Sequence, residues 1–125
     1  MVIDDELAVG RTIRRLLGDG YDVTVLSSGH TAIELLMGGE QFDVIFCDLS
    51  MPEVSGMDVY RTVAAARAEV AQRFIFISGG IYSSRLGDFL ASVPNARLDK
   101  PFDLETVRAL VRTRVAEEST LHPVV

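Results

Sequence analysis

Cysteine and long apolar runs are nearly absent from this chain of 125 residues. A single cysteine cannot form an internal disulfide and leaves no cysteine framework for zinc. No apolar stretch approaches the roughly 18 residues of a membrane-spanning helix, and Met1 leads directly into an apolar run rather than into a signal peptide. These absences predict a domain that works in the reducing cytoplasm and makes no membrane contact of its own.

Basic residues are also few. Twelve Lys and Arg stand against 18 Asp and Glu, which gives a formal net charge of −6. A surface that binds nucleic acid needs clustered Lys and Arg, so no direct nucleic-acid partner is expected. Hydrophobic residues make up 48% of the chain and charged residues 24%. This balance is typical of a globular protein, and the length suits one domain with its own core.

Apolar runs alternate with amphipathic segments along the chain. The predicted strands are Met1–Ile3, Val23–Leu26, Val44–Cys47, Phe74–Ile77 and Ala96–Leu98, and the predicted helices are Glu6–Leu17, Thr31–Met37, Met57–Val70, Ser84–Ala91 and Leu104–Glu117, the last with Asp103 as its N-cap. Such alternation predicts an α/β fold with a doubly wound, five-stranded parallel sheet. Residues 1–117 form the predicted domain, and 118–125 show no clear element and are predicted to be a tail or linker stub.

Polar residues stand at the ends of four predicted strands. Asp4 and Asp5 follow the first strand, Asp48 the third, Ser78 the fourth and Lys100 the fifth. Ligands of open parallel sheets bind at the carboxyl edge, so we expect these side chains to converge there. Three carboxylates, one hydroxyl and one ammonium can hold a divalent cation together with a transferable anionic group.

Each of these pieces, taken alone, has a plain structural interpretation. The pair Asp4-Asp5 could begin a helix as a cap and acidic first turn, and Asp48 could be a turn residue. Ser78 could simply start a glycine-rich loop, and Lys100 could be solvated at the surface. Cys47 lies inside an apolar run and is expected to be a small core residue. The joint occurrence at four strand ends is what favours a functional site.

With these elements, the chain from Val2 to about Ala116 resembles the receiver domain of two-component response regulators. The motifs that carry the resemblance are Asp4-Asp5, Asp48 with Met51-Pro52 and Gly56, Ser78, and Lys100-Pro101-Phe102. The resemblance implies a flavodoxin-like three-layer sandwich with sheet order 2-1-3-4-5. The site would lie at the topological switch between strands 1 and 3. A cis peptide bond between Lys100 and Pro101 is also implied.

The resemblance also implies a role for each site residue. Asp48 would be the phosphoacceptor, taking a phosphoryl group from a phosphohistidine of a histidine kinase. Ser78 and Lys100 would bind oxygens of that phosphoryl group. The domain would then shift between conformations, and it would not be an enzyme beyond its own phosphorylation and dephosphorylation.

A magnesium site is implied at the same edge. Asp5 and Asp48 would ligate Mg²⁺ directly, Asp4 through a water molecule, and Ser50 through its backbone carbonyl. A like-charge cluster of carboxylates invites a hard, oxygen-seeking cation of this kind.

The implied partners are a histidine kinase domain, on the same polypeptide or another, and a histidine phosphotransfer protein as a further candidate. The segments from Phe89 to Asn95 and from Arg97 to Leu104 look most like receivers fused to hybrid sensor kinases, so the cytoplasmic domain could be tethered to a larger kinase. Only three residues precede Asp4 in a strand expected to be central. The natural chain is therefore expected to continue upstream.

Some positions depart from the family pattern. Arg97 stands where the family has its aromatic switch residue, and Ser50 and Gly80 flank the expected phosphoryl group, so the phosphate lifetime stays open. One alternative function is a degenerate receiver that acts only as an interaction module. Another is a phosphatase of the haloacid dehalogenase type. That enzyme needs a second acid two residues after the nucleophile, where this chain has Ser50.

Overall fold

One parallel sheet of five strands lies at the centre of the protein, in the order β2-β1-β3-β4-β5. The computed structural model describes residues 1–79 and 83–121, with side chains through residue 115. The strands are β1 (Val2–Ile3), β2 (Val25–Leu26), β3 (Ile45–Asp48), β4 (Phe74–Ser78) and β5 (Arg97–Asp99). The predicted order is confirmed. The strand order changes direction after β2, so β1 lies beside β3. The two strands are parallel, and their carboxyl ends therefore lie on the same edge of the sheet.

Helices connect the strands and cover both faces of the sheet. They are α1 (Leu7–Leu17), α2 (Gly29–Met37), α3 (Gly56–Ala66), α4 (Ala68–Ala71), α5 (Ser84–Ser92) and α6 (Leu104–Leu121), with a 3-10 turn at Gly18–Gly20. Asp103 caps α6 as predicted, since its Oδ1 accepts a hydrogen bond from the Thr106 N–H at 2.8 Å. No helix in the described ranges is both long enough and apolar enough to span a bilayer.

The core has two layers, one on each face of the sheet. Alternate residues of the inner strands point to opposite faces, so Cys47 packs with α2, α3 and α5, whereas Phe46 packs with α1 and α6. Every residue of β3 and β4 is buried, as expected for inner strands of a parallel sheet. The result is the predicted three-layer sandwich.

Strand β2 is shorter than predicted. The apolar pattern placed Val23 at its start, but the strand begins at Val25. Val25 pairs with Val2, and Met1 therefore lies opposite Thr24. The ladder between β1 and β2 thus consists of the pairs Val2 with Val25 and Ile3 with Leu26.

The predicted single helix over Met57–Val70 is wrong, because the chain breaks it at Arg67. This residue has φ −142° and ψ 78°, which separates α3 from α4. Its guanidinium donates to the Leu36 carbonyl at the end of α2 at 3.1 Å and to Glu69 at 3.3 Å. A contact with another helix thus overrides a sequence that contains no helix breaker at this point.

The helix at the end of the chain is longer than predicted. The stretch 118–125 was expected to have no regular element, but α6 continues through Leu121. Residues 118–121 include no glycine or proline that would end a helix, and the next proline after the start of α6 is Pro123. Residues 122–125 lie outside the described residues, and the predicted domain boundary at 117 stays a prediction.

Candidate functional site

Three carboxylates meet at the carboxyl edge of the sheet. Asp4 and Asp5 follow β1 directly, and Asp48 is the last residue of β3. Because Ile3 pairs with Cys47, the next residues, Asp4 and Asp48, lie side by side. One carboxylate oxygen from each of the three lies within 4.8 Å of the others. The structure therefore brings together the acidic residues that the sequence singled out.

Burial makes this cluster electrostatically costly. Asp4 is only 1% exposed and Asp48 5%, while Asp5 is open to solvent. Loss of solvation, together with the neighbouring Asp4 carboxylate, raises the pKa of Asp48 to about 7. Burial also raises the pKa of Asp4. Near neutral pH the cluster therefore holds a proton readily unless a cation offsets its charge.

Backbone N–H groups satisfy only part of the two buried carboxylates. The Ser50 N–H donates to Asp48 Oδ1 at 3.2 Å, and the Glu6 N–H donates to Asp4 Oδ1 at 2.9 Å. Asp4 Oδ2 is buried and accepts no hydrogen bond from any described residue. An oxygen of this kind next to two further carboxylates is a suitable ligand position for a hard cation.

Lys100 approaches the cluster from β5, the strand at one edge of the sheet. It follows β5, and its N–H donates to the Ser78 carbonyl at 2.8 Å, which ties it to the end of β4. Its ammonium lies 3.4 Å from Asp4 Oδ2. Ser78, the last residue of β4, is buried. The peptide bond between Lys100 and Pro101 is cis, as the resemblance implied.

The loop after Asp48 is held tightly against the strand end. Gly56 begins α3 so close to the Asp48 carbonyl and the Leu49 backbone that a Cβ atom would collide with both. Its N–H donates to the Leu49 carbonyl at 3.4 Å. Within the loop, Glu53 has φ 64°, a left-handed conformation that side chains other than glycine rarely adopt.

Two contacts that hold this loop were not predicted from the sequence. One is the Ser50 N–H bond to Asp48, which depends on the loop's path. The other is a capping box at the start of α3, where the Ser55 hydroxyl and the Asp58 carboxylate each bond the other's backbone N–H. The spacing Ser-x-x-Asp before an apolar helix is a signal that could have revealed the box.

The family profile described as "Response regulator receiver domain" matches residues 1–112. The chain belongs to the response regulator receiver family. It is thus a receiver domain of two-component systems, a signalling module, which favours the receiver interpretation over the phosphatase alternative.

Similar receiver-containing proteins come from diverse bacteria. The chain is 30% identical over 130 residues to the transcriptional regulatory protein KdpE of Mycobacterium tuberculosis, covering all of this chain and 56% of that protein. It is 27% identical over 122 residues to DltR of Streptococcus agalactiae, covering 97% and 53%. It is 29% identical over 121 residues to the sensor kinase CckA of Brucella abortus, covering 94% and 12%. The receiver therefore spans about half the length of the curated regulators that it matches, and less of the kinase.

Solved structures agree with the fold. A response regulator receiver domain protein from Clostridium thermocellum superposes with a TM-score of 0.78 at 26% identity, covering 96% of this chain and 95% of that one. A chain described as an adenylate cyclase from Rhodopirellula baltica superposes with a TM-score of 0.80 at 19% identity, covering 97% and 89%. The second likeness shows the fold alone.

The positions that depart from the family pattern lie around the receiver's site. Arg97 is exposed on β5, opposite Phe76 of β4, in the place where an aromatic residue was expected. Ser50 is exposed beside Asp48. Gly80, which was predicted to flank the phosphoryl group, lies outside the described residues.

Proposed function

We propose that Asp48 of this receiver domain accepts a phosphoryl group from the phosphohistidine of a histidine kinase. The observation that carries the proposal is the meeting of Asp4, Asp5 and Asp48 within 4.8 Å, with the Lys100 ammonium 3.4 Å from Asp4. Asp48 ends a central buried strand, so its carboxylate is held in one place. Fixed position and neutralised charge are what a weak carboxylate nucleophile needs.

In the proposed reaction, an ionised oxygen of Asp48 attacks the phosphorus atom. The new O–P bond forms as the P–N bond to the imidazole breaks, and the electron pair leaves with the nitrogen. Because the Ser50 N–H holds Oδ1, Oδ2 is the oxygen for the attack. The carboxylate must be ionised, although its pKa is raised to about 7, so a nearby positive charge favours the reactive form.

The residues at the site fit a magnesium ion. We assign Asp5 and Asp48 as direct ligands, Asp4 as a ligand through water, and the Ser50 backbone carbonyl as a further donor. The set consists of oxygen donors alone, and the buried Oδ2 of Asp4 lacks a hydrogen bond from the described residues. When bound, the ion supplies positive charge against the carboxylates and the incoming phosphoryl oxygens.

Lys100 and Ser78 are proposed to hold the transferred group. In the structure Lys100 is paired with Asp4, so a phosphoryl group on Asp48 would give its ammonium a second anionic partner. Ser78 ends β4, the strand between β3 and β5, and its hydroxyl would donate to another phosphoryl oxygen.

We also propose that the partner is a histidine kinase domain in the cytoplasm, with a histidine phosphotransfer protein as a further candidate. Both arrangements of receivers occur among similar proteins. KdpE and DltR are transcriptional regulatory proteins, whereas CckA is a sensor kinase. The phosphodonor can therefore lie on another polypeptide or on the same one. The charge of −6 speaks against direct binding of nucleic acid by this domain.

The test is phosphorylation by acetyl phosphate with and without Mg²⁺, measured by intact mass. We expect a Mg²⁺-dependent gain of about 80 Da that disappears in Asp48→Asn and persists in Asp88→Asn, a matched change of an exposed aspartate on α5. If no adduct appears, binding of beryllofluoride separates a short lifetime from an inert site. The absence of both an adduct and Mg²⁺-dependent beryllofluoride binding would overturn the proposal. The interaction module would then be the remaining function.

A further inference from the structure

The outer side of α1 carries positive charge and no negative charge. The helix contains three arginines, Arg11, Arg14 and Arg15, and no Asp or Glu, although acidic residues outnumber basic ones by 18 to 12 in the whole chain. All three are exposed. Arg108 of α6 adds a fourth exposed cation, because its guanidinium donates to the Leu16 carbonyl of α1 at 3.1 Å. An acidic chain thus gathers four arginines on one surface, which we call the arginine face.

The charges of the arginine face are not neutralised within the domain. None of its guanidinium groups forms an ion pair with a carboxylate in the described part of the chain. Arg14 donates to the Val23 carbonyl at 2.9 Å, which fixes the side chain but leaves its charge. The helix dipole favours Arg14 and Arg15 in the last turn of α1, but it does not account for Arg11 in the middle. Arg11 and Arg15, four residues apart, repel each other, so the face is suited to negative charge on another molecule.

The arginine face begins beside the carboxylate cluster. Leu7, the first residue of α1, follows Asp5 by two residues, and it is 42% exposed. The three arginines of α1 follow Leu7 at the spacing of one side of a helix, so they form a row that leads away from the carboxyl edge. At 1.5 Å per residue, this row is about 12 Å long, or roughly two helical turns. A protein that brings a phosphohistidine to Asp48 must lie over the carboxyl edge, and the row is the adjoining surface.

We infer that the arginine face binds an acidic helix of the protein that donates the phosphoryl group. The inference rests on the proposed function, because the helix belongs to the phosphodonor. The row of arginines supplies the length of the contact, which is about two turns of a helix laid along α1. Arg11 and Arg15 then determine which donors react quickly, although they touch neither Asp48 nor the transferred group.

The surroundings of the row also determine where the donor helix is acidic. At the near end, Asp5 and Glu6 are exposed and repel negative charge, while Leu7 offers an apolar contact. The donor residues next to the phosphohistidine are therefore neutral or apolar, and the carboxylates lie one to two turns further along, opposite Arg11 and Arg15. This pattern disfavours a nucleic-acid strand, because its phosphates are evenly spaced and would meet the acidic near end as well.

Three alanine-based helical peptides of about 20 residues, each with one phosphohistidine formed by phosphoramidate, serve as defined donors. In the first peptide, three glutamates follow the phosphohistidine at the spacing at which the arginines of α1 follow Leu7. The second peptide has the same glutamates on the opposite side of the helix, and the third has glutamines in place of the glutamates. Intact mass gives the rate of transfer to the chain with Mg²⁺. The rate with acetyl phosphate is the reference for each variant.

At low salt, we expect the first peptide to transfer about tenfold faster than the other two, relative to acetyl phosphate. The advantage should disappear near 1 M salt, where the Debye length is about 3 Å. Arg11→Glu combined with Arg15→Glu should make the first peptide the slowest donor. Arg85→Glu is the matched control, since it reverses an exposed arginine of α5 on the other face of the sheet, and it should keep the order of the peptides.

Other outcomes would overturn the inference. Equal rates for the three peptides, with acetyl phosphate active, would exclude the arginine face as the donor contact and leave the proposed function standing. An unchanged order of the peptides in the double variant would mean that charge elsewhere selects the donor. Tighter binding of a DNA duplex than of the first peptide, lost in the double variant, would assign the face to nucleic acid. No adduct from any donor and no beryllofluoride binding would overturn the proposed function as well.

Discussion

The ammonium of Lys100 reaches Asp4 across the ends of two intervening strands. Lys100 follows β5 and Asp4 follows β1, and β3 and β4 lie between these strands in the sheet. The 3.4 Å separation from Asp4 Oδ2 therefore brings the lysine side chain over the edge where Asp48 and Ser78 end their strands. This contact supplies positive charge to a cluster that burial otherwise makes unfavourable.

Replacing Lys100 tests that charge. Lys100→Met should slow phosphorylation by acetyl phosphate about tenfold to a hundredfold, because no ammonium neutralises the transferred group. It should also lower the free energy of unfolding by about 1–2 kcal/mol, since Asp4 loses its ion-pair partner. Intact-mass time courses and urea unfolding measure the two effects. Arg112→Met, which removes an exposed cation from α6, is the control and should change neither.

The raised pKa of Asp48 predicts a pH-dependent effect on stability. In the unfolded chain this carboxyl has its ordinary pKa of 3.8, against about 7 in the folded protein. Between these values the folded state binds a proton that the unfolded chain lacks, so the contribution of Asp48 to stability falls as the pH rises from about 4 to 7. Asp48→Asn should therefore be more stable than the parent by about 2–4 kcal/mol at pH 8 without Mg²⁺.

That gain should shrink towards pH 5, because the folded carboxyl is then protonated and the free energy needed to protonate it on folding falls with the pH. Urea unfolding at pH 5 and pH 8, with a chelator present, gives the comparison. A gain of equal size at the two pH values would contradict the assignment to Asp48 titration. Asp88→Asn should show little change at either pH.

Asp5 is the exposed member of the carboxylate cluster, so its loss should weaken cation binding without unfolding the domain. We expect Asp5→Asn to reduce the affinity for Mg²⁺ by about tenfold or more, because one direct ligand and one negative charge are lost. The rise in Tm with Mg²⁺ concentration measures the affinity. Asp43→Asn, an exposed change at the opposite edge of the sheet, should leave the Mg²⁺ response as it is.

Gly56 should be intolerant of even one added carbon atom. In Gly56→Ala the Cβ meets the backbone of Asp48 and Leu49, which cannot move aside as a flexible side chain could. We expect a loss of about 2–3 kcal/mol in the free energy of unfolding and slower phosphorylation, because Asp48 is displaced. Gly20→Ala is the matched control, since no atom lies within 4 Å of its added Cβ. A small effect at Gly56 would show that the loop can retreat from the strand end.

Much of the fold and site follows from the sequence because the signals are local and mutually consistent. The apolar runs ending at Cys47 and Ile77 predicted the inner strands, and the polar residues after them predicted the edge where the site lies. Sequence reasoning failed where distant contacts decide the conformation. At Arg67, where the helix breaks, the guanidinium donates a hydrogen bond to the Leu36 carbonyl of another helix. The Ser50 N–H donates to Asp48 only because the folded loop brings the two together.

The single cysteine of the chain lies in β3, directly before Asp48, and is fully buried. Burial also raises the pKa of the Cys47 thiol, so the folded protein presents no thiolate to a reagent. Alkylation of Cys47 therefore requires the central strand to open, and its rate reports the free energy of that opening. The next residue, Asp48, belongs to the acidic cluster. The alkylation rate of Cys47 should therefore also measure how much cation binding or phosphorylation stabilises β3 against opening.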